Sequence, residues 1–214
     1  MEDAARDTRP AELRQEYESS KRAGHYRDNR WTRSPRARRT DAKEQAIVGQ
    51  YLQQVGESTR ILDLPCGTGR FRQLLQTNTS ELLSIDASRE MLAATPPKHG
   101  LQASAHAIPL LDDAVDMILC SRLLHHFEHS EQRKAVLQEL ARVSSGHIIL
   151  SYFDAANFQA WRNRIRKRFR GRFPISRTTF SDEIQSAGLI EVTRTYIARG
   201  ISEQVWVLLR KASS

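Results

Sequence analysis

Arg60-Ile61-Leu62-Asp63-Leu64-Pro65-Cys66-Gly67-Thr68-Gly69-Arg70-Phe71 is the stretch on which the fold turns. Its first half is a short apolar run, which reads as a buried strand. Pro65 to Gly69 form a glycine-containing turn, and Phe71, Leu74 and Leu75 open a helix. Glycine at 67 and 69 lets backbone N–H groups approach a ligand with no Cβ in the way. The next apolar run, Leu82 to Asp86, ends in a carboxylate seventeen residues past Gly69. A carboxylate there can accept two hydrogen bonds from a ribose diol, and such charge-assisted bonds are strong. In an open α/β sheet, ligands sit beyond the carboxyl ends of the strands, near the switch in strand order.

Outward from this unit, strands and helices alternate. Asp41 is expected to cap a helix whose Ile47, Val48, Tyr51, Leu52 and Val55 recur at helical spacing up to Gly56. Ser88 caps a helix through Met91 and Leu92 that stops at Pro96-Pro97. Leu101 to Ala107 reads as a weaker third strand and Val115 to Cys120 as a fourth. A helix from about Ser130 to Val143 leads to a fifth strand, His147 to Tyr152. Thr179 to Ala187 is a helix closed by Gly188, followed by strands over Glu191 to Ile197 and Gln204 to Leu209. The expected fold is α/β: a doubly wound, mostly parallel, seven-stranded Rossmann-like sheet with an antiparallel edge strand, plus a basic N-terminal arm.

The chain has 214 residues, 39% of them apolar and 27% charged. Thirty-three Lys and Arg against 25 Asp and Glu give a net charge of +8. From Ser19 to Thr40 there are eight Lys or Arg and one acid, Asp28; from Phe158 to Phe173 there are seven and no acid. Each segment carries +7, so the rest of the chain is acidic and the basic excess belongs to two short segments. Both point to an anionic partner. Phe158, Trp161, Ile165 and Phe169 make the second segment a basic amphipathic helix, suited to an anionic membrane surface or to phosphates. Two cysteines, Cys66 and Cys120, exclude a disulfide scaffold and lack CxxC spacing. No apolar run is long enough to cross a bilayer, and the polar Met-Glu-Asp-Ala-Ala-Arg start lacks a signal-peptide centre. A cytoplasmic protein is expected, with peripheral contact at a membrane through 158–173.

Four ordered pieces of the chain resemble a known family. They are Ile61 to Gly69, Ser84-Ile-Asp-Ala-Ser88, Ala105-His-Ala-Ile-Pro-Leu110 and Val115 to Phe127, and Thr179 to Gly188 looks like the family's late helix. The family is the class I S-adenosylmethionine-dependent methyltransferases, and the resemblance, over about 41–210, looks closest to the small-molecule branch that includes quinone-biosynthesis enzymes. It implies a methyltransferase domain over 41–214, with a basic insertion at 158–173 and residues 1–40 as a basic arm or lid. It also implies S-adenosylmethionine as cofactor and S-adenosylhomocysteine as product. Asp63, Cys66, Gly67 and Gly69 would face the methionine moiety. Asp86 would bind the ribose, Ala87 and Met91 would line the adenine, and Ala105 and His106 would flank its edge. Cys120 and Leu124 would lie under the sulfonium. The chain departs from the family at Pro65, usually glycine, and at Ser104, usually an acid. Arg72 stands roughly where a dinucleotide's pyrophosphate needs a third glycine, against an NAD-type reading.

Positioning an acceptor in line with a sulfonium supplies about 7–11 kcal/mol of barrier reduction. A hydroxyl or carbon acid needs a base as well, and histidine serves near neutral pH. His126 falls on the family's frequent loop histidine and His125 is its neighbour, so these two are the candidate catalytic residues. His129 has no carboxylate or thiol at zinc spacing, and no metal site is expected. Three functions follow. The first is methylation of an anionic small molecule or of a lipid- or glycan-linked phosphate. The second, ranked behind it, is RNA or tRNA methylation. The third is a binding protein with the fold but without the chemistry.

Overall fold

The computed structural model describes residues 31, 34–94, 98–156, 172–200 and 202–212. Helix α1, Pro35–Val55, starts earlier than the Asp41 cap expected from the sequence. Ser34 Oγ accepts the Ala37 N–H at 3.1 Å and Pro35 takes the first helical turn. A capping hydroxyl followed by proline is the stronger start signal. Asp41 instead lies inside the helix and pairs with Arg70. The remaining elements are β1 (Ser58–Asp63), α2 (Arg72–Gln76), β2 (Thr79–Asp86), α3 (Arg89–Ala94), β3 (Gly100–Gln102) and β4 (Val115–Cys120). A 3-10 turn at Leu124–His126 leads to α4 (Ser130–Val143), β5 (Ser144–Phe153), α5 (Arg177–Ser186), β6 (Leu189–Tyr196) and β7 (Gln204–Lys211).

The seven strands form one sheet in the order β3-β2-β1-β4-β5-β7-β6. Strands β3, β2, β1, β4 and β5 pair in parallel. Strand β7 is antiparallel to both neighbours, so the expected antiparallel edge is a β6–β7 hairpin with β7 lodged between β5 and the edge strand β6. The third strand is shorter than the sequence suggests. All three of its residues are exposed, and Ser104 to Ala107 close a tight turn instead, with Ala107 N–H bonded to Ser104 O at 3.1 Å. An edge with so little apolar surface gains little from extension.

Successive strand residues face opposite sides of the sheet. Ile61, Met117, Leu119, Ile149 and Trp206 pack against Val48, Tyr51 and Leu52 of α1, together with Phe71 and Leu75. Leu62, Ile118, Cys120, Ile148 and Val207 pack against Val136, Leu137 and Leu140 of α4 and Phe180 of α5. Helices α4 and α5 are joined by a buried pair: Arg133 Nη2 lies 2.6 Å from Glu183 Oε1. The chain leaves β1 and β4, the two central strands, on opposite courses across the sheet, so the crevice opens at their carboxyl ends.

Candidate active site

The turn after β1 is held by its neighbours on both sides. Leu64 N–H bonds to Leu119 O and Cys66 N–H to Ile85 O, each at 2.9 Å. Gly67 and Gly69 adopt positive φ, +54° and +75°, which the tight bend requires and a Cβ disfavours. Asp86, at the end of β2, is 5% exposed and clamps the bend to the next helix. Its Oδ2 accepts Gly67 N–H and its Oδ1 accepts Ser88 N–H, both at 2.8 Å. Ser88 Oγ in turn accepts Met91 N–H at 3.2 Å, capping α3.

This bend forms the floor of a cleft of about 1140 Å³, counting its solvent-open part. Of the residues expected at the site, Asp63, Cys66, Gly67, Asp86, Ala87, Met91, Ala105, His106, His125 and His126 border it. Gly69, Cys120 and Leu124 do not. Gly69 completes the bend behind the cleft wall, its N–H bonded to Cys66 O at 2.9 Å. Cys120 and Leu124 are fully buried in the core beneath α4. Burial pushes both thiols up, so Cys66 and Cys120 stay protonated and serve as packing. Asp63 is buried beside Asp86, and desolvation first, then that second carboxylate, push its carboxyl up to about 8, against a smaller opposing pull from Arg72.

His125 and His126 sit side by side, ring centroids 4.3 Å apart. His125 is buried and stacks flat on Phe153 at 3.7 Å, and its carbonyl accepts Phe173 N–H at 2.8 Å. His126 is only half-buried, so it is the better placed of the two to meet an acceptor. His106 stands edge-on to Phe127 at 4.9 Å. Ser104 Oγ, at the family's acidic position, accepts His106 N–H at 3.2 Å.

The sequence reading missed two arginines of this cleft, Arg70 and Arg122. Both border it, as do Arg172 and Trp31. Arg70 directly follows the glycine bend and Arg122 follows β4, so their positions next to recognisable motifs were the available signal. Trp31 belongs to the arm expected to close over an acceptor and Arg172 to the basic segment. The rest of that arm and of 158–173, Phe173 and the start of α1 apart, lies outside the described residues.

Residues 62–150 match the family described as a methyltransferase domain. An uncharacterized methyltransferase-like protein of Schizosaccharomyces pombe is 33% identical over 44% of this chain and 38% of its own length. The malonyl-[acyl-carrier protein] O-methyltransferase of Hamiltonella defensa is 34% identical over 51% of this chain and 44% of its own. The chain thus spans about two fifths of the length of these relatives. The magnesium protoporphyrin IX methyltransferase of Synechocystis PCC 6803, solved with bound S-adenosylhomocysteine, superimposes with a TM-score of 0.74 at 12% identity, over 94% of this chain and 98% of that one. At that identity the likeness is one of fold. Residues 62–150 therefore match a methyltransferase domain, and the seven-stranded sheet has the fold of S-adenosylmethionine-dependent methyltransferase structures.

Proposed function

We propose that this protein transfers a methyl group from S-adenosylmethionine to an anionic small molecule or to a lipid- or glycan-linked anionic group. The observation that carries the reading is the Asp86 carboxylate, fixed by two backbone N–H groups on the floor of a cleft also lined by arginines and histidines. The residues fit the cofactor. Each Asp86 oxygen keeps a lone pair for a ribose hydroxyl. Ala87, Met91 and Ala105 offer apolar walls to a flat base, with His106 at its edge. Asp63, made reluctant to ionise by its burial first and then by the neighbouring Asp86 carboxylate, favours a positively charged neighbour. When bound, the cofactor supplies a methyl group on a sulfonium, which departs as a neutral thioether. Among the relatives, one is named a malonyl-[acyl-carrier protein] O-methyltransferase.

Asp63 makes the binding step proton-linked. Below about pH 8 its carboxyl holds a proton, and a cation settling beside it favours the ionised form. Cofactor binding at pH 7 is therefore expected to release a proton, and affinity to climb with pH toward 8. Calorimetry in buffers of different ionisation heat measures this directly. Asp63→Asn should abolish that share of the release, leaving only what the ligand's own amino group contributes; an unchanged release in the variant would exclude Asp63.

His126 is assigned the proton of the acceptor, with His125 fixing its ring from behind. His126→Ala is expected to cut turnover by about 100-fold, the lower end for a positioned base, while S-adenosylhomocysteine affinity stays put. Full turnover in the variant would remove the role. The basic segment 158–173 suits peripheral contact with an anionic membrane, where a lipid-linked acceptor would reach the cleft. Among the described residues no helix is long and apolar enough to cross one. The deciding experiment supplies methyl-labelled donor and the protein to a cell extract. Label in small molecules or in the organic phase supports the reading, and label lost to ribonuclease would transfer the protein to RNA. No labelling, and no heat with either S-adenosylmethionine or S-adenosylhomocysteine, would leave a binding protein.

A further inference from the structure

At one end of the cleft, a side-chain assembly is built from four distant parts of the chain. Glu44, on α1, has no exposed surface and pairs through one oxygen with Arg70 and through the other with Arg122, each at 2.6 Å. Arg70 also holds Asp41 at 2.6 Å and lies between two rings, 3.6 Å from the centre of Trp31 and 4.6 Å from that of Phe71. Arg122 lies 4.7 Å from the centre of the same Trp31 ring. One carboxylate below and one indole above therefore fix both guanidinium groups.

Two features of this assembly are costly unless a ligand completes it. Arg70 and Arg122 border the cleft, and within them Arg70 Nη2 and Arg122 Nε are buried with no hydrogen-bond acceptor among the described residues. A buried charged donor left without an acceptor loses hydration and recovers nothing. Arg122 moreover adopts φ +59°, the left-handed region in which an arginine's Cβ is crowded. Its N–H is held there by Ser151 Oγ at 2.9 Å, so β5 enforces the strained backbone that carries this side chain into the cleft. Strain kept at a cleft is a mark of a working residue.

We propose that Arg70 and Arg122, bridged by Glu44 under Trp31, grip a carboxylate of the acceptor molecule. The inference rests on the methyltransferase reading above for calling that molecule an acceptor. Two orphan donor nitrogens, one on each guanidinium, match the two oxygens of a carboxylate. A phosphate brings a third oxygen and a second charge, and the assembly answers neither: Arg70, Arg122, Glu44 and Asp41 sum to zero. The position also separates this grip from the cofactor's adenosine end. Arg122 precedes Leu123, His125 and His126 on the loop after β4, whereas Asp86 ends β2 and Met91 lies in the helix that follows it. A carboxylate held here places the body of its molecule against the histidine pair.

The test uses three probes of one shape: benzoate, benzamide and phenylphosphonate, titrated into the full chain saturated with S-adenosylhomocysteine and followed by ligand-observed NMR. Benzoate is expected to bind about tenfold or more tighter than either of the others. Arg122→Asn suits the left-handed backbone and removes the fork; it should weaken benzoate by about tenfold or more while leaving S-adenosylhomocysteine affinity unchanged. Arg122→Lys, which keeps the charge, should lose much of the benzoate affinity too, and it decides the question if the asparagine variant fails to fold. The proposal falls if benzoate does not bind, if phenylphosphonate binds more tightly, or if the variants hold benzoate as the parent does. It also falls if they lose S-adenosylhomocysteine instead, because the arginines would then hold the cofactor's own carboxylate. Should the parent chain not bind S-adenosylhomocysteine at all, the methyltransferase reading fails by itself, and benzoate titrated into the cofactor-free chain still decides the arginine site.

Discussion

Asp86→Ala is expected to weaken S-adenosylhomocysteine binding by about several hundred-fold, more than one lost bond to a charged group would explain. A hydrogen bond to an ionised carboxylate is worth about 1.5–3 kcal/mol, which by itself covers roughly ten- to hundredfold. Asp86 does more than meet the ligand. It accepts Gly67 N–H with one oxygen and Ser88 N–H with the other, so its loss frees the bend from the helix that follows β2. Both donors are then left to find water, and the backbone that shapes the cleft floor is no longer fixed. Asp86→Asn should rescue little, because its amide nitrogen would face one of these two N–H groups, donor against donor. Calorimetry with S-adenosylhomocysteine measures both variants. Binding by Asp86→Ala as tight as the parent's would remove Asp86 from the site and take the cofactor assignment with it.

Glu183→Ala is expected to cost about 3–5 kcal/mol of stability, because it strands a buried guanidinium. Arg133 is 7% exposed in its side chain and Glu183 1%, and the pair is reinforced by Ser130 Oγ at 2.7 Å from the same carboxylate. For a domain of this size the loss corresponds to a fall in Tm on the order of 10 °C. Thermal and urea melts read it directly, and a variant that melts within a degree or two of the parent would show the pair to be dispensable. The effect also reaches the site. Arg133 Nη1 donates to Phe127 O at 2.9 Å and to Glu128 O at 2.8 Å, tying down the loop that carries His125 and His126. Replacing both partners with apolar residues, Arg133→Met with Glu183→Leu, should recover part of the stability. Recovery stays incomplete because the two loop carbonyls lose their donor.

The central sheet was legible because each of its buried strands is a short apolar run bounded by turn residues. The bend at the cleft floor was legible because its parts are local: a glycine turn, and a carboxylate at the end of the next strand. Three expected lining residues illustrate the limit of that reading. Cys120 and Leu124 stand close in sequence to the cleft, yet they face the α4 side of the sheet, where they fill the core. Gly69 shapes the bend without reaching the opening. Spacing names the loop but does not say toward which side each residue points. The start of α1 was misplaced for a related reason, since Asp41 is a good cap by type but is drawn into the helix by its ion pair with Arg70.

What the amino-acid order determined alone is the alternation of strands and helices, the glycine bend and the acid that faces it, because neighbours in the chain create all three. What only the packed molecule decided is the arginine end of the cleft. Trp31, Glu44, Arg70 and Arg122 are far apart in the chain, and none of them is distinctive by type. They become one assembly because α1 lies across the sheet and lowers a buried carboxylate between two loops. Once that carboxylate is removed from water, its two cations must come to it, and both arginines are thereby held at the cleft.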